Sequence, residues 1–237
     1  MTISLLFSLL VFAVAGVIIR ASFRKFTGVR DQLIIPIAIV GWFAYTAAMV
    51  SSGTLNDHFS MPPPQVKILL PGLLLTLYIV YSKRGAQLRD NFSFAAIIGL
   101  QLFRFPLELL LSALHTQGFV PVEMTFHGLN FDILTGITAP VIAYLAYQGK
   151  ISRSGILLWN TAGLLLLINV VTIAILSMPG KLQVLTDGPA NTLVFQLPYV
   201  WITFFVFTAL ASHLLIFRKL AIEKKLIASK TASTRLA

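Results

Sequence analysis

Arg104 and Glu108 stand four residues apart in QLFRFPLELLLSALH, residues 101–115, a run otherwise dominated by Leu, Phe and Ala. At about 100° per residue, Gln101, Glu108, Ser112 and His115 all fall within roughly 80° of Arg104 on a helical projection. The strongly polar side chains of this run therefore share one face, and the rest of the circumference is apolar. A lone charge at the centre of a membrane-spanning helix costs about 2.5 to 3.5 kcal/mol on insertion scales, so an arginine and a glutamate together need partners. The i, i+4 spacing offers one, a charge-assisted bond from Arg104 to Glu108 along the helix. Pro106, between them, has no N–H for the carbonyl of Leu102, and its ring predicts a kink or an opened turn beside the charges.

Two chemistries fit this face. An ion pair would lock the helix to its neighbours. A substrate-binding face of Arg104, Glu108, Gln101, Ser112 and His115 would engage a ligand or proton. There Arg104 meets an anionic group or keeps Glu108 charged, Glu108 accepts a proton or cation, and His115 relays protons at the mouth. Intramembrane ionisable residues most often mark such paths, which favours the second chemistry.

The segment FVPVEMTFHGLNFD, residues 119–132, is too apolar for a solvated linker and is expected to fold back over the bundle as a lid. It supplies Glu123, His127, Asn130 and Asp132. Asp132 is expected to cap the helix that follows it. Gly136, Ala139 and Ala143 lie on nearly one face of that helix, where small side chains allow close backbone approach. Asn160 and Asn169 are expected to hydrogen-bond between helices.

His58, His115, His127 and Glu123 are weak candidates for a metal site, since their spacing matches no metal signature and no metal is expected. His213 stands alone near the end of the last apolar run, which argues against a bis-histidine haem. Cysteine is absent, so disulfides and thiolate chemistry are excluded. A P-loop, a G-x-S-x-G elbow and an H-E-x-x-H pair are absent too, and the last apolar run has no lysine for a retinal Schiff base. Nothing in the spacing names a cofactor.

These residues are held by an all-α integral membrane protein. Hydrophobic residues make up 57% and charged residues 11% of the chain, and the mean hydropathy of +0.86 lies outside the range of soluble domains. Seven apolar runs are long enough to serve as transmembrane helices, at 3–19, 33–50, 68–82, 92–116, 132–148, 155–177 and 197–217. They form one domain, 1–217, followed by a basic tail, 218–237. Ala13 and Ala15 imitate a signal-peptidase site, but no basic residue precedes the first run, so it is expected to remain as the first span.

Fifteen of the eighteen Lys and Arg follow the first, third, fifth and seventh runs, which places the N-terminus outside and the C-terminus in the cytoplasm. The net charge of +10 is accounted for by this pattern rather than by nucleic-acid binding. The tail is expected to meet anionic lipid. The dipeptide Pro64-Gln65 is expected in an outer loop, so it does not support the sugar-carrier motif that the seven-span layout brings to mind.

FRFPLE followed by PVEMTFHGLNFDILTGITAP resembles a group of small uncharacterised bacterial membrane proteins over residues 101–140. The resemblance implies a multi-pass protein of the bacterial inner (plasma) membrane and brings no activity with it. The expected function is binding or transport of a small solute or ion through an outward-facing polar cavity along the fourth span. The alternatives are a membrane-embedded enzyme acting on a lipid or lipid-linked substrate, and a receptor or assembly subunit. The reading leaves room for a homo-oligomer.

Overall fold

The computed structural model describes residues 2–235, and all of their regular structure is helical. The helices are α1 (Ile3–Lys25), α2 (Val29–Ser51), α3 (Pro64–Tyr81), α4 (Lys83–Asn91), α5 (Phe94–Leu100), α6 (Arg104–Thr116), α7 (Ile133–Tyr147), α8 (Arg153–Leu176) and α9 (Ile202–Arg235). A single 3-10 turn, Gln101–Phe103, joins α5 to α6, so the two form one span, Phe94–Thr116. The turn tightens immediately before Pro106, where the missing N–H leaves the carbonyl of Leu102 without its α-helical partner.

Six helices are long and apolar enough to cross a membrane, where the sequence pattern gave seven. The difference lies in α7, which has 15 residues and so spans roughly 22 Å at 1.5 Å per residue, against a hydrocarbon core of about 30 Å. Residues 117–132 take an irregular path before it, and Val120, Met124, Thr125, Asn130 and Asp132 within that path are buried. Val120 and Met124 pack with Leu111, Leu114, Ile173 and Leu193, wedging the segment between α6 and α8.

Three other details depart from the pattern. Pro64 and Gln65 are buried in the first turn of α3 rather than lying in a loop, because proline at the first helical position lacks only an N–H that would have no partner there. KRGAQLRDN forms the short helix α4, capped by Ser82 Oγ, which accepts from the backbone N–H of Arg84 and Gly85. α9 runs unbroken past position 218 to Arg235. The tail side chains beyond Lys224, including Lys225, Lys230 and Arg235, lie outside the described residues, and so does their expected contact with anionic lipid.

The crossing of α6 and α7 positions the site. Gly136 lies so close to α6 that a Cβ added there would stand 2.3 Å from the backbone nitrogen of Phe105. Ala139 is fully buried, and a Cβ added at Gly99 of α5 would stand 3.6 Å from Ala143 Cβ, an ordinary contact. The small-residue face thus sets α7 directly against the backbone of Arg104 and Phe105. Aromatic packing closes the opposite side, with Phe103 stacked on Phe205 at 5.0 Å and Phe7 edge-on to Phe205 at 6.0 Å.

Gly136→Ala must push α6 and α7 apart, so it is expected to lower stability by about 2 kcal/mol or more, at the upper end of overpacking costs. Gly41→Ala, with nothing within 4 Å of its added methyl, is expected to leave stability unchanged or slightly raised. Thermal unfolding of the two variants in the same detergent checks both.

Candidate functional site

Arg104 is 1% exposed, and every N–H of its guanidinium is engaged. Nε donates to Asp132 Oδ2 at 2.6 Å and Nη2 to Asp132 Oδ1, a bidentate ion pair. Nη1 and Nη2 both donate to the carbonyl of Gly163, at 3.4 Å each. Nη1 also meets His213 Nε2 at 3.0 Å. Arginine has no acceptor, so His213 Nε2 accepts and the ring carries its proton on Nδ1. That proton is donated to Asn160 Oδ1 at 2.9 Å, and Asn160 Nδ2 donates to the carbonyl of His213 at 3.1 Å. One cation from α6 therefore ties together Asp132 before α7, Gly163 and Asn160 of α8, and His213 of α9.

Small side chains permit the approach. A Cβ on Gly163 would stand 2.8 Å from His213 Cε1 and 3.2 Å from Thr135 Cγ2, so glycine opens the carbonyl to the guanidinium.

Two expectations are corrected by this geometry. Arg104 pairs with Asp132 rather than with Glu108. Asp132 occupies the N-cap position of α7 but makes no side-chain cap bond. The reason is electrostatic: a buried guanidinium needs a carboxylate reached in bidentate geometry, and that outweighs one N-cap bond. His213, which stands alone in the sequence, is the third partner of the guanidinium.

Glu108 lies one helical turn after Arg104 and is also 1% exposed. Its Oε2 accepts from Asn130 Nδ2 at 2.6 Å. Asn130, fully buried, also donates to the carbonyl of Met124 at 3.0 Å, and its Oδ1 accepts from the backbone N–H of Asp132 at 3.0 Å. The amide thus bridges the two acidic residues and fastens the 117–132 segment to α6. Glu108 Oε1 has no hydrogen-bond partner among the described residues.

The remaining candidates scatter. Gln101 is fully buried and donates to the carbonyl of Ala209 at 3.3 Å, while its Oε1 and the nearby Thr135 hydroxyl have no partner. Ser112 and His115 are half-buried towards the end of α6, and His115 Nδ1 donates to the carbonyl of Val120 at 3.0 Å. Glu123 sits half-buried in a 3-10 turn, and His127 is exposed with its ring 4.3 Å from that of Phe126. His58 lies against Phe195, 4.8 Å between ring centroids. Among the described residues no group of three or more acidic or histidine side chains gathers to hold a metal. The interhelical role expected of Asn160 is present, whereas Asn169 donates to the carbonyl of Leu129 at 2.8 Å in the segment between α6 and α7.

Asp132→Ala strands a buried guanidinium, so it is expected to destabilise by about 3 to 5 kcal/mol. Arg104→Met combined with Asp132→Leu removes both charges and is expected to recover most of that loss. A double-mutant cycle on unfolding in micelles measures the difference.

A family model described as a domain of unknown function, DUF8737, matches residues 62–221. No curated protein and no solved structure matches the chain. The matched region runs from the end of the segment between α2 and α3 into α9 and contains Arg104, Glu108, Asn130, Asp132, Asn160, Gly163 and His213, leaving α1 and α2 outside it. Since the match extends over more than half of its length, the chain belongs to the DUF8737 family.

Proposed function

We propose that the protein crosses the inner (plasma) membrane of a bacterium seven times, N-terminus outside, and binds or transports a small solute or ion at the outer half of α6. The seventh crossing is α7 together with the buried segment before it. Irregular backbone is tolerated at membrane depth where protein surrounds it, and the burial of Val120, Met124 and Asn130 meets that condition. The distribution of basic residues supports the orientation.

Within the site, Glu108 rather than Arg104 is the group that engages the cargo or the coupling proton. The observation that carries this reading is the contrast between the two side chains. Arg104 has no donor left to offer, whereas Glu108 has one neutral amide partner and one oxygen without a protein partner. A buried carboxyl in that state is a site for a proton or cation. Asn130 couples the site to the segment before α7, because any change at Glu108 acts on one of the hydrogen bonds that hold that segment to α6.

Two measurements test the proposal. The chain has no cysteine, so Asn56→Cys and Ser154→Cys each introduce the sole thiol. An impermeant maleimide added to intact cells is expected to label Asn56→Cys and spare Ser154→Cys; labelling of both would remove the crossing by α7. In liposomes containing a trapped pH dye, purified protein is expected to accelerate proton or added-cation flux. Glu108→Gln, which can still accept from Asn130, is expected to slow that flux at least about tenfold, the scale of a lost charged contact. A flux equal to that of the wild type, or none from the wild type, contradicts the proposal.

A further inference from the structure

A cavity of about 340 Å³, which Arg104 does not line, lies between α1, α2, α3, α5 and α9. Its size is that of a small-molecule pocket. Its wall is apolar, with Ile18, Ile35, Leu75, Ile97, Phe207 and Leu215 typical of it. The hydroxyls of Ser22, Thr76 and Ser212 on this wall bond back to their own helices, to the carbonyls of Ile18, Gly72 and Thr208 at 3.1, 2.8 and 2.8 Å. These three ask nothing of an occupant, Thr208 adds one further hydroxyl, and the otherwise apolar wall suits hydrocarbon.

The cavity has the depth of one leaflet. Along α9 its lining runs from Phe204 to Leu215, roughly 16 Å at 1.5 Å per residue, about half of a hydrocarbon core of about 30 Å. It also has a side entrance. α2 packs on α1 but makes little contact with α3. The two helices are pinned at one end by Tyr45, which donates to the carbonyl of Lys67 at 2.6 Å, and by Lys67 Nζ, which donates to the carbonyl of Thr54 at 3.1 Å. At the other end Asp31 of α2 pairs with Arg84 of α4. Between these pins the lining residue Leu75 of α3 is also exposed on the bundle surface, as is Val17 of α1.

The helix faces that line the cavity end in cations. On α1, Val17 and Ala21 are continued at helical spacing by Arg24, and Ile18 and Ala21 by Lys25; on α2, Arg30 stands one turn before Ile34. All three basic residues are exposed, and none has a carboxylate within 4.0 Å among the described residues, whereas Arg84 and Arg89 have Asp31 and Asp90.

We infer that this cavity is a lipid site: one acyl chain of an anionic phospholipid enters between α2 and α3, and its phosphate is held by Arg24, Lys25 and Arg30. A zwitterionic lipid shares the chain but gains less from the three cations, which gives the site its head-group preference.

The test uses the full chain in micelles containing equal amounts of dioleoyl phosphatidylglycerol and dioleoyl phosphatidylcholine, with retained lipid counted by native mass spectrometry. One phosphatidylglycerol per chain is expected, preferred at least fivefold. Ala38→Trp, which fills the cavity, should abolish retention, and replacing Arg24, Lys25 and Arg30 by Gln should abolish the preference. A second readout needs no cavity-filling variant. Chain-brominated phosphatidylglycerol should quench Trp42, which lines the cavity, with Trp42→Phe isolating its signal from that of Trp159 and Trp201. Equal retention of the two lipids, or Trp42 quenched no more than the other two tryptophans, overturns the inference.

Discussion

The burial of one guanidinium constrains much of this fold. Arg104 sits where water cannot serve it, and five N–H groups must all find acceptors within the protein. They find them on three other elements, through Asp132, the Gly163 carbonyl and His213. Each partner in turn requires a local feature of the sequence. Gly136 brings α7 near enough for Asp132 to reach, Gly163 leaves its carbonyl uncovered, and Asn160 fixes the imidazole with its acceptor nitrogen facing the cation. The N-terminal end of the short helix α7 is thereby held to α6, α8 and α9 through Asp132 and the guanidinium.

A second layer rests on the first. Asn130 accepts from the backbone of Asp132 and donates to Glu108, so the position of the glutamate depends on the arginine pair without contact between the two charged residues of α6. This division separates the two roles that the helix face suggests. Arg104 is fully committed to structure. Glu108 retains an oxygen without a partner, and its other oxygen joins it through Asn130 to a segment that His115, Asn169 and Arg104 also hold.

The sequence makes the framework legible because bilayer insertion imposes a simple rule of length and apolarity, and most helices obey it. α1, α2 and α8 follow from it with ends shifted by a few residues, and α9 follows from it but runs on to Arg235. Three elements escape the rule. α4 has no apolar periodicity and is recognisable only from the Ser82 cap; residues 117–132 are apolar yet irregular; and α3 begins at Pro64, where a triple proline hides a helix start. The polar face of α6 is legible from spacing alone, but its pairing is not, because helical neighbours at i and i+4 are visible in a sequence while partners 28 and 109 residues away are not. The face shared by Asp132 and Gly136 was the available clue: a small residue one turn after an acid marks where that acid meets a neighbouring helix.

The most direct test of this account is a density map of the protein in lipid nanodiscs, at a resolution that shows ordered water and ions, read around the two charged side chains of α6. The account predicts an ordered water or ion within hydrogen-bonding distance of Glu108 Oε1, with the guanidinium of Arg104 dry and closed on Asp132, Gly163 and His213. Solvent or ligand on Arg104 with Asp132 drawn away, or Glu108 Oε1 packed dry against apolar side chains, would contradict it.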